Sequence, residues 1–308
     1  MATSMEKTIR TTDGLSLWSE AFGQPGDRPI LLIMGAMNQG IFWPDAFCRR
    51  LASLGYYVIR YDHRDTGQSS TVDFQTQPYR LAELTQDALA VLHGHQLPKA
   101  TVVGLSMGGY IAQLLAIEHP EAVDRLVLIS SSADQRPYMA ATMGQPAVDF
   151  ALPGPGAALL DYIRATLAQP PESAAAIEQN VLTGWALTYG GRREFPRAQV
   201  TAALHRAAGR TSNPLAAVHH ALAVAASPDR LKGIQSIAAP TLVIHGRADS
   251  LLPLAHGEYL ARHIPGARLQ LFDMGHSFMW SWDDEVLASL AAFLADHSIA
   301  PPFQTNHD

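Results

Sequence analysis

Ser106 sits in Gly104-Leu105-Ser106-Met107-Gly108, a G-x-S-x-G pentapeptide. Gly and Ser are common residues, so the five letters alone carry little weight. The flanks carry more. Thr101-Val102-Val103 in front has the composition of a buried strand, and 110–119 behind reads as a helix stopped by Pro120. A serine on a sharp strand-to-helix turn is held in strained backbone, and glycines on either side relieve the crowding. Its Oγ is lifted above the sheet edge, with a helix N-terminus aimed at the same place. The chemistry such a residue does is nucleophilic attack; the alternative is an ordinary Gly-Ser turn.

A serine hydroxyl attacks only when a base removes its proton, and the base needs a third group to fix its tautomer. Where a serine of this kind is used, the chain order is Ser, acid, His. Asp249 fits the acid, in His245-Gly246-Arg247-Ala248-Asp249 just past the strand-like stretch 241–245. His276 fits the base, in Met274-Gly275-His276 just past 268–272. Both stand at carboxyl ends of expected parallel strands, where open α/β sheets bind ligands. Asp134 and Asp273 are rival acids, and His276 read alone could be a surface or capping histidine.

Acyl transfer also needs donors aimed at the developing oxyanion. The Met107 N–H directly after Ser106 is one; the loop Gly35-Ala36-Met37-Asn38 offers the Ala36 N–H as the second, with Gly35 letting the chain turn closely. Gly35, Trp43, Trp185 and Phe278 are the expected substrate-binding residues. Met107, Tyr189, Met279 and Trp280 are further candidates for an apolar pocket, although such side chains are often core.

Other constellations are weaker. Asp62-His63-Arg64-Asp65 evokes a kinase catalytic loop, but no Asn stands five residues past Asp65 and no glycine-rich nucleotide loop exists. It reads as a structural turn in which Arg64 and the two aspartates bridge neighbouring strands. No G-x-G-x-x-G or Walker segment supports a nucleotide. His93 with His95, and His219 with His220, are poorly spaced for zinc. No metal or organic cofactor is expected.

The elements that must position these residues alternate. Strand-like 15–21, 30–34, 57–61, 101–104 and 125–130 are interleaved with helix-like 44–53, 81–92 and 110–119, the signature of parallel βαβ units. From 133 to 235 the pattern changes to Ala, Pro and Gly with helical stretches and breakers at Pro153-Gly154-Pro155-Gly156 and Pro170-Pro171. Alternation resumes with 241–245, 254–263, 268–272 and 284–294. The expected organisation is an α/β core over 1–132 and 236–298, a mostly helical cap over 133–235 and a frayed tail over 299–308. A lid over the site would govern substrate choice more than the chemistry on small activated esters.

At 308 residues the chain is short for two full-sized domains. With 22 Lys plus Arg against 28 Asp plus Glu it has no basic excess to neutralise phosphates, which argues against nucleic-acid binding. Cys48 is the sole cysteine, which excludes an intrachain disulfide and fits a reducing compartment. Residues 1–10 are polar and lack the apolar stretch of a secretory signal. The densest apolar run, 30–37, is broken by Gly35 and falls far short of the roughly 20 residues of a membrane helix. The expectation is a cytoplasmic protein whose partners are a small-molecule ester and water, with no nucleic acid and no membrane span, homodimerisation being left open.

With these residues placed, the chain resembles the α/β-hydrolase superfamily, and more narrowly its aclacinomycin methylesterase-like group. The resemblance rests on Trp43-Pro44-Asp45-Ala46-Phe47, on 58–67 (Val-Ile-Arg-Tyr-Asp-His-Arg-Asp-Thr-Gly), on 102–108, on Pro240-Thr241-Leu242-Val243-Ile244 and on Met274-Gly275-His276. It implies the α/β-hydrolase fold, a mostly parallel sheet flanked by helices with a helical cap insertion. It further implies Ser106 as nucleophile, Asp249 as acid and His276 as base. The stretch 133–235 shows no clear match, so the family's anthracycline substrate does not carry over. The resulting expectation is a serine carboxylic-ester hydrolase acting through an acyl-serine on small to medium apolar esters, methyl esters among them. A lactonase, C–C bond hydrolase or perhydrolase on the same triad is the alternative. A catalytically dead binding protein is the non-enzymatic one.

Overall fold

The computed structural model describes residues 4–145 and 148–296. The expected tail at 299–308 lies outside the described residues. In chain order the elements are β1 (Met5–Arg10), β2 (Ser16–Phe22), β3 (Arg28–Ile33), α1 (Asp45–Ser53), β4 (Tyr56–Tyr61), α2 (Leu81–Gly94), β5 (Ala100–Leu105), α3 (Met107–Glu118) and β6 (Val123–Ile129). There follow α4 (Arg136–Thr142), α5 (Ala157–Ala168), α6 (Ala174–Tyr189), α7 (Arg197–Ala208) and α8 (His219–Ala225). The chain then returns to β7 (Thr241–Gly246), α9 (Ala255–His263), β8 (Arg268–Phe272) and α10 (Asp283–Ala295).

The strands form one eight-stranded sheet among the described residues, in the order β1-β2-β4-β3-β5-β6-β7-β8. β2 is antiparallel to both its neighbours; every pairing from β4 to β8 is parallel. Period-two geometry sends alternate side chains to opposite faces. Leu31 and Ile33 of β3 and Leu126 and Leu128 of β6 pack with Leu84, Leu92, Ile111 and Leu115 of α2 and α3. Ile30, Leu32, Val127 and Ile129 pack on the other face with Phe47 and Leu51 of α1 and Leu290 and Phe293 of α10. With both faces covered, the strands need continuous apolar runs, which is what 30–34 and 126–129 supply.

β1 departs from the sequence reading, which gave residues 5–10 no element. Only Ile9 of this strand is buried. Its ladder to β2 forms without apolar alternation, and Glu6, Lys7 and Arg10 suit an exposed edge, where charge discourages further pairing. Between β6 and β7 the chain makes α4 to α8 and no strand among the described residues. The breakers delimit these helices: Gly156 precedes α5, and Pro170-Pro171 precede α6, whose Ser173 Oγ accepts the Ala176 N–H at 3.2 Å. No described helix is long and apolar enough to cross a membrane.

The 62–69 turn ties the sheet edge to its surroundings. Arg64 does not bridge neighbouring strands. It makes a two-point bond to Asp87 of α2 (Nε and Nη2 at 2.7 Å each) and reaches Asp13 at 3.1 Å. Asp62 accepts the Gly40 N–H at 2.7 Å and Arg210 at 2.7 Å. His63 Nε2 lies 2.9 Å from Met34 O, so that nitrogen carries the proton. His220 of α8 donates through Nε2 to Arg64 O at 2.9 Å and accepts the Met37 N–H on Nδ1 at 2.9 Å. The two rings meet edge to face with centroids 5.4 Å apart.

Two outcomes follow. Arg64→Leu strands the buried Asp87 carboxylate and should lower stability by about 3–5 kcal/mol, read from urea midpoints, while Arg64→Leu with Asp87→Leu should recover part of the loss. Burial pushes His63 down to about 4, and burial together with the facing His63 pushes His220 down to about 3. The unfolded chain takes up both protons below about 6.5 and the folded chain does not, so stability should fall as pH drops from there towards about 4. The limiting slope is about 2.7 kcal/mol per pH unit for the two rings. Urea midpoints that stay level from pH 7 to pH 5 would contradict this.

Candidate active site

Ser106 is the junction residue between β5 and α3, with φ 54° and ψ −118°. This left-handed, strained conformation is the one expected of a nucleophile on a tight elbow. The pentapeptide glycines are required by backbone contact: a Cβ at Gly104 would stand 2.3 Å from Gly108 O, and one at Gly108 would stand 2.1 Å from Ile33 O. The Ser106 N–H donates to Ile129 O at 3.0 Å, tying the elbow to β6. The Ser106 carbonyl accepts the Gly109 N–H at 2.9 Å and the Ser131 hydroxyl at 2.9 Å. The side chain of Ser106 is partly exposed.

Asp249 and His276 are brought together. Asp249 lies in the turn after β7 and His276 in the loop after β8; the two strands pair in parallel, so their carboxyl ends are adjacent. His276 Nδ1 stands 2.8 Å from Asp249 Oδ2. Nδ1 therefore carries the proton and Nε2 is left to act as a base. Asp249 Oδ1 accepts the Leu251 and Leu252 N–H groups at 2.9 Å each. Burial pushes the Asp249 carboxyl up. The His276 imidazole, its hydrogen bond, His245 and the Leu252 N–H outweigh burial and hold the carboxyl below its ordinary value. His245, fully buried, donates through Nε2 to Leu252 O at 2.8 Å and lies 3.5 Å from Asp249 Oδ2. Ser106 Oγ and His276 are not hydrogen-bonded among the described residues; the elbow and the Asp249–His276 pair share the carboxyl edge of the parallel strands without a closed relay.

The rival acids are engaged elsewhere. Both Asp134 oxygens bond Arg136, at 2.7 Å each. Asp273 is half exposed, with Arg192 at 3.4 Å.

A Cβ at Gly35 would lie 3.4 Å from Ser106 Cβ and 4.0 Å from its Oγ, so this glycine backs directly onto the serine. As the first residue of α3, Met107 has an N–H without an intrahelical acceptor. Ala36 occupies the loop beside it; the next N–H, Met37, is already taken by His220. Trp43 and Phe278 are fully buried and pack with Phe47, all three centroid separations being 5.6–5.8 Å. Trp185 stacks on Phe42 at 5.5 Å, and Trp280 lies 5.6 Å from Trp185. Trp185 and Trp280 are half-buried and pack on Phe42, which is itself buried and was not weighed in the sequence.

Ser131 and Ser250 were also missed. Ser131 follows β6, the strand beside β5, and that neighbourhood is the signal that could have pointed to it. Ser250 adjoins Asp249 and donates to Leu187 O at 2.9 Å.

Residues 28–281 match the alpha/beta hydrolase fold family model. Rhodomycin D methylesterase DnrP of Streptomyces peucetius is 38% identical over 300 residues, covering 94% of this chain and 98% of its own length. The 3-oxoadipate enol-lactonase 2 of Acinetobacter baylyi is 30% identical over 271 residues, covering 88% and 90%. Among solved structures, a hydrolase from Pseudomonas aeruginosa superposes with a TM-score of 0.71 at 26% identity, over 94% of this chain and 98% of that one. The chain belongs to the α/β-hydrolase family, within it to the methylesterase-like group of ester hydrolases.

Proposed function

We propose that the chain is a serine carboxylic-ester hydrolase in which Ser106 is the nucleophile, His276 the base, and Asp249 the acid that orients it. The observation that carries this reading is the Asp249–His276 bond of 2.8 Å, which leaves Nε2 as the free basic nitrogen at the edge where the strained Ser106 stands. His276 Nε2 takes the Ser106 proton as Oγ attacks the ester carbonyl. The Met107 and Ala36 N–H groups hold the oxyanion. Collapse breaks the carbonyl–alkoxy bond, His276 returns the proton to the departing alcohol, and an acyl-serine remains. Water gives its proton to His276, attacks the acyl carbon and releases the carboxylic acid, with the proton returned to Ser106.

Methyl esters are the proposed substrates, from the likeness to the rhodomycin D methylesterases over nearly the whole chain. Trp185 and Trp280, backed by buried Phe42, would form the apolar wall of the cleft, with Gly35 giving the substrate close access to Ser106. Residues 133–235 are the cap in this reading, and the cytoplasm is the compartment, supported by a single buried cysteine, Cys48. A lactonase on the same residues is the second reading, favoured by the likeness to an enol-lactonase. Parallel assays on short-chain methyl esters and on lactones separate the two.

Ser106→Ala should remove nearly all p-nitrophenyl ester hydrolysis and all labelling by a fluorophosphonate; a folded variant with near-parental turnover refutes the nucleophile. Asp249→Asn should lower kcat by about 10⁴ through the wrong imidazole tautomer, whereas Asp134→Asn should leave it within about tenfold. The reverse ranking would reassign the acid.

A further inference from the structure

The carboxyl end of α6 faces the loops that carry Asp249 and His276 with three successive carbonyls. Leu187 O accepts from Ser250 Oγ at 2.9 Å, Thr188 O from the His276 N–H at 2.7 Å, and Tyr189 O from the Gly275 N–H at 2.7 Å. Carbonyls in the last turn of a helix have no intrahelical donor, and here the site loops supply the donors. The chain then turns through Gly190 (φ 57°) and Gly191 (φ 77°), and Gly191 pairs with Met274 as an antiparallel bridge.

The seam has no room for side chains. A Cβ at Gly275 would stand 2.2 Å from Thr188 O, and one at Gly190 would stand 2.7 Å from Ala248 O and 2.8 Å from Gly275 Cα. Ser250 is held from a second side, its carbonyl accepting the Gly156 N–H at 2.7 Å just before α5. The acid loop, the base loop and α6 are therefore in direct backbone contact.

We propose that the carboxyl end of α6 is a positioning element for the base. It fixes the His276 backbone relative to Asp249, so the insertion between β6 and β7 sets the turnover rate as well as the choice of ester. The inference rests on the assignment of Ser106, Asp249 and His276 as the reacting set, and it revises the expectation that this insertion governs substrate choice more than the chemistry on small activated esters.

The test uses the full chain and p-nitrophenyl acetate, an ester small enough to need little from the insertion for binding, with circular dichroism to verify folding. Gly190→Ala must push the seam apart, and a misplacement approaching an ångström should lower kcat about a hundredfold. Ser250→Ala removes one of the three bonds and should lower kcat about tenfold with KM within about twofold, a loss in the chemical step and not in binding. Ser250→Thr keeps the hydroxyl and should recover most of the loss. Fluorophosphonate labelling should slow in parallel, because it draws on the same activated Oγ.

Should Gly190→Ala fail to fold, the Ser250 pair decides. A folded Ser250→Ala protein with kcat within about twofold of the parent, or a loss that Ser250→Thr does not recover, overturns the inference. Ser106→Ala separates the two failures. If it stays active, the nucleophile assignment is wrong; if it is inactive while Ser250→Ala is normal, only the positioning role is wrong.

Discussion

The hydrogen bond between Asp249 and His276 is the interaction on which the rest depends. A buried carboxylate is costly unless its lone pairs are filled. Asp249 fills them with two backbone N–H groups on one oxygen and the imidazole on the other. One bond thus does two things: it makes burial of the charge tolerable, and it puts the imidazole proton on Nδ1, so the basic nitrogen is Nε2. The bond in turn requires β7 and β8 to be parallel neighbours, because only then do the turns after them open at one edge. The parallel order β3-β5-β6-β7-β8 brings the Ser106 elbow and the Gly35 loop to that same edge.

What could be read in the sequence was whatever a backbone constraint or a periodic burial pattern forces upon residue types. Gly104 and Gly108 are legible because a carbonyl would collide with any Cβ there. The buried strands are legible because both faces are covered, and α1, α2, α9 and α10 because their apolar residues recur at helical spacing. β1 was not, since an exposed edge strand is held by its ladder and needs no apolar pattern. Asp249 and Asp134 look alike in sequence, each following a strand; what separates them is partner choice, Arg136 for one and His276 for the other. Trp43 and Trp185 are the same residue type with opposite fates, one in the core against Phe47, the other stacked on Phe42. Composition cannot tell which way a ring points. The contacts of α6 with the site are made mainly by main-chain carbonyls, which leave no letter in the sequence beyond the glycines at 190, 191 and 275.

The polar turn at 62–69 shows how a motif can mislead by its letters and still matter. Its His-Arg-Asp is engaged in bonds that hold neighbouring segments. Arg64 reaches back to α2 through Asp87, and His63 holds Met34 O while His220 holds the Met37 N–H. Two neutral imidazoles thereby fix both flanks of the Gly35-Ala36 segment. A neutral ring suits this work, because His220 must accept on one nitrogen and donate from the other, which an imidazolium cannot do.

The insertion is thus tied to the site at two places. On the base side the carbonyls of α6 hold the His276 and Ser250 loops. On the side of the Gly35-Ala36 loop Arg210 bonds buried Asp62, His220 bonds the Met37 N–H, and Gln39 donates to Ala207 O at 2.7 Å. Swinging the whole insertion away as one lid would break all of these together and leave Asp62 without its cation, a loss of about 3–5 kcal/mol from that pair alone. Movement of α5 breaks far less, since its polar side-chain ties run from Tyr162 and Thr166 to Asn180 on α6 rather than to the sheet. The ties of the insertion to the sheet loops therefore concentrate at the carboxyl end of α6 and the start of α8, with the segment before α5 joined to them through the Gly156 N–H on Ser250 O.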